Sequence, residues 1–331
     1  MLSPAQVLRL PYDHSLTLAG GEYAKKSLHY TYNRMGLNPA ARLRKIVAGV
    51  AVELALRRWL DTQRLPYDLL GATAFTEKDR YDLCLGGRRC DVKSFLVSDR
   101  ARIRALRRDP AWLLEAAALV PEDQFKSSAL DENDLYLFGF LAGLETRHSQ
   151  DLAKAVRAGQ PVYLLHTPDD EAWLGQPAWR SLGRLTFTNP GSHSLGVEAG
   201  GQAASRAAVV ERLKLAPHGR AETAEDYYSL LYVRVPHLPA DPLEVHSPAL
   251  DATFRIAPLD WFNIWVYGLE VFIAGWLTKA EFRALSQVLP AGSAVKQYRQ
   301  TQVDNRAVLV SALRPMAELV ELVRNSDWGK G

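Results

Sequence analysis

The segment YDLCLGGRRCDVKSF, residues 81–95, constrains the fold more than any other part of this chain. Two runs of mixed apolar and polar residues flank Gly86 and Gly87, a pair that suits the positive φ angles of a two-residue hairpin turn. Closing the turn at this pair sets Asp82 opposite Asp91. The segment therefore predicts an antiparallel hairpin with one defined register.

Side chains alternate between the two faces of a strand, so this register also separates the polar residues of the hairpin from its apolar ones. Asp82, Asp91 and Lys93 are predicted to project from one face. The other face is predicted to be core and to carry Leu83, Leu85, Cys90 and Val92. Two carboxylates that oppose each other across an antiparallel pair are destabilising without a compensating cation. The polar face therefore favours a divalent metal ion.

This set of side chains suits the hydrolysis of phosphodiesters. Carboxylate oxygens are ligands that Mg²⁺ prefers, and a bound metal ion polarises a phosphoryl oxygen and lowers the pKa of a bound water molecule. Asp82 and Asp91 are the predicted ligands, and the ammonium group of Lys93 is predicted to position the water. Asp91-Val92-Lys93 is the only acidic-x-Lys triplet in the chain.

A long helix is predicted upstream of the hairpin. Asn38 and Pro39 form a good helix start, and the segment continues to about Gln63 with no internal breaker except Gly49. At 100° per residue, Glu53 lies on an otherwise apolar stripe with Ile46, Gly49, Val50, Leu56 and Leu60. A glutamate on a buried stripe needs a partner. If this helix packs over the hairpin, Glu53 can complete the metal shell, directly or through water.

A glutamate on a helix, an aspartate and then a nearby Asp-x-Lys on a hairpin together resemble the PD-(D/E)xK, or restriction-endonuclease-like, nuclease superfamily. The resemblance covers residues 38–145. It implies an α/β core in which the hairpin strands lie in a mixed central β-sheet flanked by helices, with residues 135–144 as the next strand. It also implies that Asp82, Asp91, Lys93 and Glu53 are catalytic, and that the aspartates and Glu53 hold Mg²⁺, for which Mn²⁺ can substitute. Tyr81 stands where the family name has proline.

The basic residues are concentrated in the first third of the chain. Residues 1–108 hold 20 of the 40 Lys and Arg residues but only 10 of the 37 Asp and Glu residues, a local charge near +10 in a chain of net charge +3. This distribution suggests that a polyanion approaches the N-terminal part, and a solvated basic face is the alternative. The predicted nucleic-acid contacts are Arg88, Arg89, Arg100, Arg104, Arg107 and Arg108.

Residues 146–261 are predicted to form a β- and loop-rich insertion that serves recognition or oligomerisation. They contain 10 of the 18 prolines and 6 of the 8 histidines. The histidines lack the spacing of a zinc site. The aromatic residues are expected mainly in the core of the insertion, with base stacking as the alternative: Trp173, Trp179, Phe187, Tyr227 and Tyr228. The nuclease core would then comprise residues 1–145 and 262–331.

Four further elements are predicted. Residues 98–120 are expected to be helical with a break at Asp109-Pro110, and residues 304–324 are expected to form a last helix interrupted near Pro315. Residues 269–277 are expected to form a buried strand like residues 135–144. A capping box at residues 278–281 is expected to open a helix.

Several protein classes are disfavoured. No stretch reaches the roughly 20 apolar residues of a membrane span, and residues 1–15 lack the pattern of a secretory signal, so a cytoplasmic protein without a membrane partner is expected. Cys84 and Cys90 are predicted on opposite faces of neighbouring strands, which excludes a disulfide between them. No GxxxxGK[ST] loop occurs, which argues against a nucleotide cofactor.

The predicted function is a metal-dependent endonuclease that hydrolyses DNA in a restriction, defence or repair system. A homodimer is compatible with this function, because cutting both strands with one site per chain calls for two sites. The first alternative is a catalytically silent nucleic-acid-binding protein that keeps the nuclease fold. The second is a structural or partner-binding protein whose charged hairpin faces solvent.

Overall fold

The computed structural model describes residues 1–28, 37–71, 81–127, 129–175 and 177–326. The first 36 residues are predicted to be short helices or irregular structure, and residues 29–36 of that segment lie outside the described residues. Within residues 1–28 the chain forms a 3₁₀ turn, a short strand and a helix. No helix in these ranges is both long enough and apolar enough to cross a membrane.

The helices and strands alternate along the first part of the chain, whereas strands dominate from residue 164 to residue 278. The α-helices of the described residues are α1 (His14–Ser27), α2 (Pro39–Thr62), α3 (Arg100–Arg108), α4 (Glu122–Ser127), α5 (Ser149–Arg157), α6 (Lys279–Leu285) and α7 (Met316–Arg324). The strands are β1 (Leu8–Pro11), β2 (Tyr67–Asp68), β3 (Leu83–Leu85), β4 (Arg88–Val97), β5 (Ala117–Pro121), β6 (Leu135–Glu145), β7 (Leu164–His166), β8 (Thr186–Thr188), β9 (Leu195–Gln202), β10 (Ala208–Leu215), β11 (Arg220–Glu222), β12 (Ser229–Val235), β13 (Leu243–Ser247), β14 (Ala252–Ile256), β15 (Phe262–Asn263), β16 (Val266–Thr278), β17 (Gln287–Leu289) and β18 (Asn305–Leu309).

A six-stranded mixed sheet forms the centre of the molecule, with the order β1-β16-β6-β4-β3-β2. Strand β6 runs parallel to β4, and β16 runs antiparallel to β6. Residues 135–142 of β6 are completely buried, because both faces of this strand are covered. The predicted mixed sheet flanked by helices is therefore confirmed, and residues 135–144 are the next strand after the hairpin as expected.

Each face of the central sheet has its own hydrophobic core. On one face α1, α2 and α7 pack against the sheet, and Leu56, Leu83 and Cys90 belong to the same cluster. On the other face Phe95 and Val97 of β4 pack with residues of α3, α4 and α6. Helix α2 begins where predicted, since the Asn38 side chain accepts a hydrogen bond from the backbone N–H of Ala41 at 2.8 Å. The helix thus lies on the face of the hairpin that carries its apolar residues.

Two helix predictions are wrong in part. After α3 and a 3₁₀ helix at Pro110–Glu115, the chain forms strand β5 rather than more helix, and strand β18 replaces the first part of the predicted last helix. These two segments pair with each other in a three-stranded sheet with β17. Both are short apolar runs, and a run of this length does not distinguish a helix from a strand until its pairing partner is known. The capping box at Thr278 and the buried strand β16 are confirmed.

Residues 149–261 contain α5 and strands β7 to β14, and they have a third hydrophobic cluster of their own. Together with β15, which follows this segment, the strands form a five-stranded sheet, β10-β9-β12-β7-β15, and a four-stranded sheet, β11-β8-β13-β14. Trp173, Phe187 and Tyr227 lie in this cluster, whereas Trp179 contacts Tyr228 at a ring-centroid distance of 5.8 Å outside it. The segment is rich in strands and loops, and its role as an insertion for recognition or oligomerisation stays a prediction.

Gly139 on β6 allows α2 to approach the sheet closely. A Cβ atom at this position would overlap Cγ1 of Val52 and come within 3.2 Å of Cδ1 of Ile273. We expect Gly139→Ala to destabilise the protein by about 1 to 3 kcal/mol, as overpacking of a core does. Urea denaturation of Gly139→Ala, Val52→Ala and the double variant tests this. The double variant should lose less stability than the two single losses added together, and simple additivity would contradict the proposed contact.

Candidate functional site

The hairpin of β3 and β4 has the predicted turn and register. Gly86 and Gly87 have φ angles of 56° and 77°, and the ladder pairs Leu83 with Cys90. Strand β3 begins at Leu83, so its pairing with β4 reaches no further than Cys90, whereas β4 continues to Val97. In the described part of the chain, no strand pairs with β4 on the β3 side beyond this point. We call this stretch, residues 91–97, the open edge of β4.

Asp82 lies at the start of the open edge, just before β3 begins. Its backbone N–H donates to the carbonyl oxygen of Cys90 at 3.0 Å, and its Oδ2 accepts a hydrogen bond from the N–H of Val92 at 2.6 Å. The predicted direct pairing of Asp82 with Asp91 is therefore not formed. The chain bends at Asp82 because its carboxylate satisfies an edge N–H that has lost its strand partner, and this bend also avoids a face-to-face carboxylate pair.

The environment of Asp82 disfavours its charged form. The residue as a whole is half-buried, but protein atoms surround its carboxylate, and this burial raises the pKa of Asp82. The negative charges of Asp91 and Glu53 raise it further, whereas the Val92 N–H and Lys93 act in the opposite direction. The result is a pKa of about 8, far above the usual 3.8. A buried carboxylate with this pKa, beside two more carboxylates, is typical of a functional site.

Lys93 lies against Asp91. The two side chains form an ion pair with a distance of 2.6 Å between Nζ and Oδ2, and Lys93 Nζ also donates to Oε1 of Gln124 at 3.1 Å. Both residues project from the face of β4 that carries Phe95 and Val97, since side chains two residues apart share a face. Gln124 of α4 thus holds the ammonium group on this side of the sheet.

Glu53 approaches Asp82 from the other side of the sheet. The fully buried stripe of α2 runs through Ala51, Val52 and Leu56, so Glu53 lies at its margin rather than within it, with 30% of its side chain exposed. Gly49, one turn earlier, faces Ser94 of β4, with 3.3 Å between a built Cβ atom and the Ser94 Oγ. Helix α2 therefore packs over the open edge, and Glu53 acts electrostatically on Asp82.

The side chains are near one another but do not form a preassembled metal shell. Across the described ranges, no group of three or more His, Cys, Asp or Glu side chains is arranged to hold a metal ion. Asp91 is paired with Lys93, and Asp82 is bonded to the Val92 N–H. Glu53 lies 3.7 Å from Arg57. The four predicted residues thus meet around one edge from three directions: Asp82 from the bend, Asp91 and Lys93 from one face, and Glu53 from the other.

The two arginines at the hairpin turn have partners within the protein. Arg88 donates to the carbonyl oxygen of Asn133 at 2.8 Å. Arg89 forms ion pairs with Asp131 at 2.5 Å and with Asp134 at 2.6 Å. A phosphate contact from Arg89 would have to compete with both carboxylates.

We expect Arg89→Ala to destabilise the fold by roughly 1 to 3 kcal/mol, because Asp134 is only 6% exposed and would lose its charged partner. Chemical denaturation in urea measures this loss. Arg220→Ala changes an exposed arginine of β11 and is the control. An unchanged unfolding midpoint for Arg89→Ala would contradict the structural role.

The arginines of α3 lie in different surroundings. Arg100, Arg104 and Arg108 are exposed, as expected of phosphate contacts and equally of a solvated helix face. Arg107 pairs with Glu270 at 3.2 Å. Arg102 is half-buried and donates to the carbonyl oxygen of Gln297 at 3.1 Å. Helix α3 therefore turns one arginine inward and the others outward.

The two cysteines are free and buried, in agreement with the prediction that they do not form a disulfide. Burial raises the pKa of the Cys84 thiol to about 11, with Asp68 adding to the effect, and raises the pKa of Cys90 well above its usual value. Neither thiol is activated as a nucleophile, because a thiolate requires a lowered pKa.

A cleft runs along the open edge next to these residues, and several of its polar side chains are absent from the sequence-based prediction. Gln124, Tyr298 and Arg299 line it together with Lys93. A signal for two of them exists in the sequence, since residues 296–302 (KQYRQTQ) combine two cations and an aromatic residue in a polar run after Gly292. Such a combination is typical of single-strand binding segments.

Comparison of this chain with models of protein families, with curated proteins and with solved structures finds no match. Its function is therefore inferred from the residues and geometry described above.

Proposed function

We propose that this protein is a metal-dependent nuclease that hydrolyses DNA phosphodiester bonds. The observation that carries the proposal is the meeting of Asp82, Asp91, Glu53 and Lys93 at the open edge of β4, where burial and the neighbouring carboxylates raise the pKa of Asp82 to about 8. Three carboxylates around one strand edge repel one another, and this repulsion would destabilise a purely structural hairpin. A site that binds a cation gains from this arrangement.

We further infer a restriction-endonuclease-like core. Helix α2, the hairpin β3–β4, helix α3 and the parallel strand β6 follow one another in the chain, and α2 packs on the sheet beside the hairpin. This order supports the resemblance on which the inference depends. The additional strands β1 and β16 extend the same sheet.

The donor set fits Mg²⁺ in its chemistry. Asp82 and Asp91 would hold the ion with carboxylate oxygens, and Glu53 would contribute directly or through water. When bound, Mg²⁺ supplies polarisation of a phosphoryl oxygen and a water molecule of lowered pKa. Burial and the negative charges of Asp91 and Glu53 raise the pKa of Asp82, and a bound cation would relieve the repulsion between these carboxylates. Asp91 would have to exchange its contact with Lys93 for the metal.

Lys93 has a separate role. Its ammonium group lies between Asp91 and Gln124 and lines the cleft, so it can contact a phosphate oxygen or the attacking water there. Gln124 would keep the ammonium group on the cleft side if Asp91 exchanged its contact with Lys93 for a metal ion. In the predicted mechanism the carboxylates hold the metal ion and Lys93 positions the attacking water.

The test is cleavage of plasmid DNA and of labelled single-stranded and duplex oligonucleotides in Mg²⁺, Mn²⁺ or EDTA. We expect cleavage by the wild type in either metal, no cleavage in EDTA and no cleavage by Asp91→Asn. The matched control is Asp61→Asn, which changes an exposed carboxylate of α2 and should cut like the wild type. If no nucleic acid is cut at any metal concentration although it binds, the silent nucleic-acid-binding alternative is correct.

A further inference from the structure

The cleft along the open edge of β4 has a volume of about 650 Å³. Its floor is β4 from Val92 to Leu96, one wall is the first part of α2, and the opposite wall is the segment 297–305. A volume of this size is typical of pockets for ligands with the dimensions of a nucleotide. The cleft adjoins the candidate site because Val92 and Lys93, which line it, directly contact Asp82 and Asp91.

Cations outnumber anions along the cleft. Its charged lining residues are Lys45, Lys93, Arg102, Arg147, Arg299, Asp99 and Glu145, five cations against two carboxylates. Both carboxylates have structural contacts: Asp99 caps α3 through the N–H groups of Ala101 and Arg102, and Glu145 pairs with Arg147 at 3.0 Å. Lys93 is paired with Asp91 and Arg147 with Glu145, so the positive charge that the cleft offers comes mainly from Arg102 and Arg299, and it favours a phosphate-bearing ligand.

An aromatic ring lies beside these cations. Tyr298 is half-buried in the cleft wall, its ring packs edge-on against Phe95 at a centroid distance of 6.5 Å, and its hydroxyl interacts with the backbone of Leu96. The neighbouring Arg299 is exposed. Cations that follow a backbone, together with an aromatic ring for a base, are the elements of a single-strand groove.

The candidate site is recessed. The Lys93 side chain is 14% exposed and the Asp91 side chain 26%. A phosphate must therefore enter the cleft to reach them. A single strand is narrow enough to enter the cleft. A duplex is much wider, since its major groove alone measures about 12 Å across.

We propose that the cleft binds a single, unpaired polynucleotide strand, whose phosphates contact Arg102 and Arg299 and whose path leads to Lys93. The cutting of that strand rests on the nuclease function proposed above, whereas its binding does not. The substrate class is then single-stranded DNA or the unpaired part of a branched or frayed duplex. The exposed arginines of α3 lie outside this path.

The experiment measures binding in EDTA, where no metal-dependent cleavage occurs, by fluorescence anisotropy of a labelled oligothymidine and of a blunt hairpin duplex. We expect the single strand to bind at least about tenfold more tightly than the duplex. Arg102→Ala and Arg299→Ala should each weaken single-strand binding by about three- to tenfold and reduce the slope of log K against log salt by about 0.7, the value for one lost phosphate contact. Arg299 is exposed, so its variant should fold normally even if Arg102→Ala does not. Arg220→Ala is the control and should bind within about twofold of the wild type.

Four outcomes decide the proposal. Equal affinity for the single strand and the blunt duplex would overturn it. Weaker single-strand binding by Arg104→Ala, with unchanged binding by Arg102→Ala and Arg299→Ala, would also overturn it, because the strand would then lie on the outer face of α3. Loss of single-strand binding in both cleft variants, in a protein that cuts nothing with Mg²⁺, would support the cleft and reject the nuclease function. Cleavage of closed circular duplex at the rate of single strands, unaffected by Arg299→Ala, would support the nuclease function and reject the cleft.

Discussion

Lys93→Met is expected to lower the rate of Mg²⁺-dependent cleavage by about 10²- to 10⁴-fold while Mn²⁺ binding stays as tight as in the wild type or becomes tighter. The loss of rate follows from the loss of the group that positions the water. Metal binding should survive because the Lys93 ammonium group, 2.6 Å from Asp91, competes with a metal ion for that carboxylate. A methionine fills the same space without charge.

Single-turnover cleavage and calorimetric titration with Mn²⁺ measure the two effects separately. Lys126→Met is the matched control, since Lys126 lies on α4 near Gln124 with 71% of its side chain exposed. It should leave both rate and affinity unchanged. Loss of Mn²⁺ binding together with activity would show that Lys93 maintains the fold of the site, and an unchanged rate would remove it from the mechanism.

Asp82→Asn is expected to abolish cleavage and at the same time to stabilise the fold at high pH by roughly 3 to 6 kcal/mol. The asparagine oxygen can still accept the hydrogen bond from the N–H of Val92, while the buried charge is removed. The pKa of Asp82 is raised from 3.8 to about 8 in the folded protein, so between these values the folded state binds more protons than the unfolded state. Stability should therefore fall as the pH rises from about 4 to about 8, and this contribution is absent in the variant.

Urea denaturation in EDTA at pH 5, 7 and 9 tests the prediction, with Asp61→Asn as the control. The difference in stability between Asp82→Asn and the wild type should be smallest at pH 5 and largest at pH 9. Adding Mn²⁺ should restore stability to the wild type alone, because a cation beside Asp82 favours its charged form. A variant less stable than the wild type at pH 9 would mean that the carboxylate has a structural role that an amide cannot fill.

Local patterns in the sequence were enough to determine the hairpin and the long helix. Gly86 and Gly87 specify the turn because few other residues adopt two successive positive φ angles, and the turn sets the register of Leu83 against Cys90. Asn38 marks the start of α2 because its side chain caps the helix within three residues. These interactions are short in sequence, so the residues that make them can be recognised in the sequence alone.

Long-range pairing decided what the local patterns left open. Residues 117–121 and 305–309 are strands because each pairs with the other across almost two hundred residues, and nothing in either run distinguishes a strand from a helix. The cleft was also decided by tertiary structure, because its wall at residues 297–305 comes from a part of the chain distant from β4.

For the candidate site, the sequence predicted four residues but not how they meet. The alternation of the hairpin placed Asp91 and Lys93 on one face, and they form an ion pair there. Only the tertiary structure decided that Asp82 bends to the N–H of Val92 instead of opposing Asp91, and that Glu53 reaches the edge from the opposite face. The physical reason is that β3 begins only at Leu83, which leaves the N–H of Val92 without a strand partner and opens the edge of β4 to α2 and to the cleft.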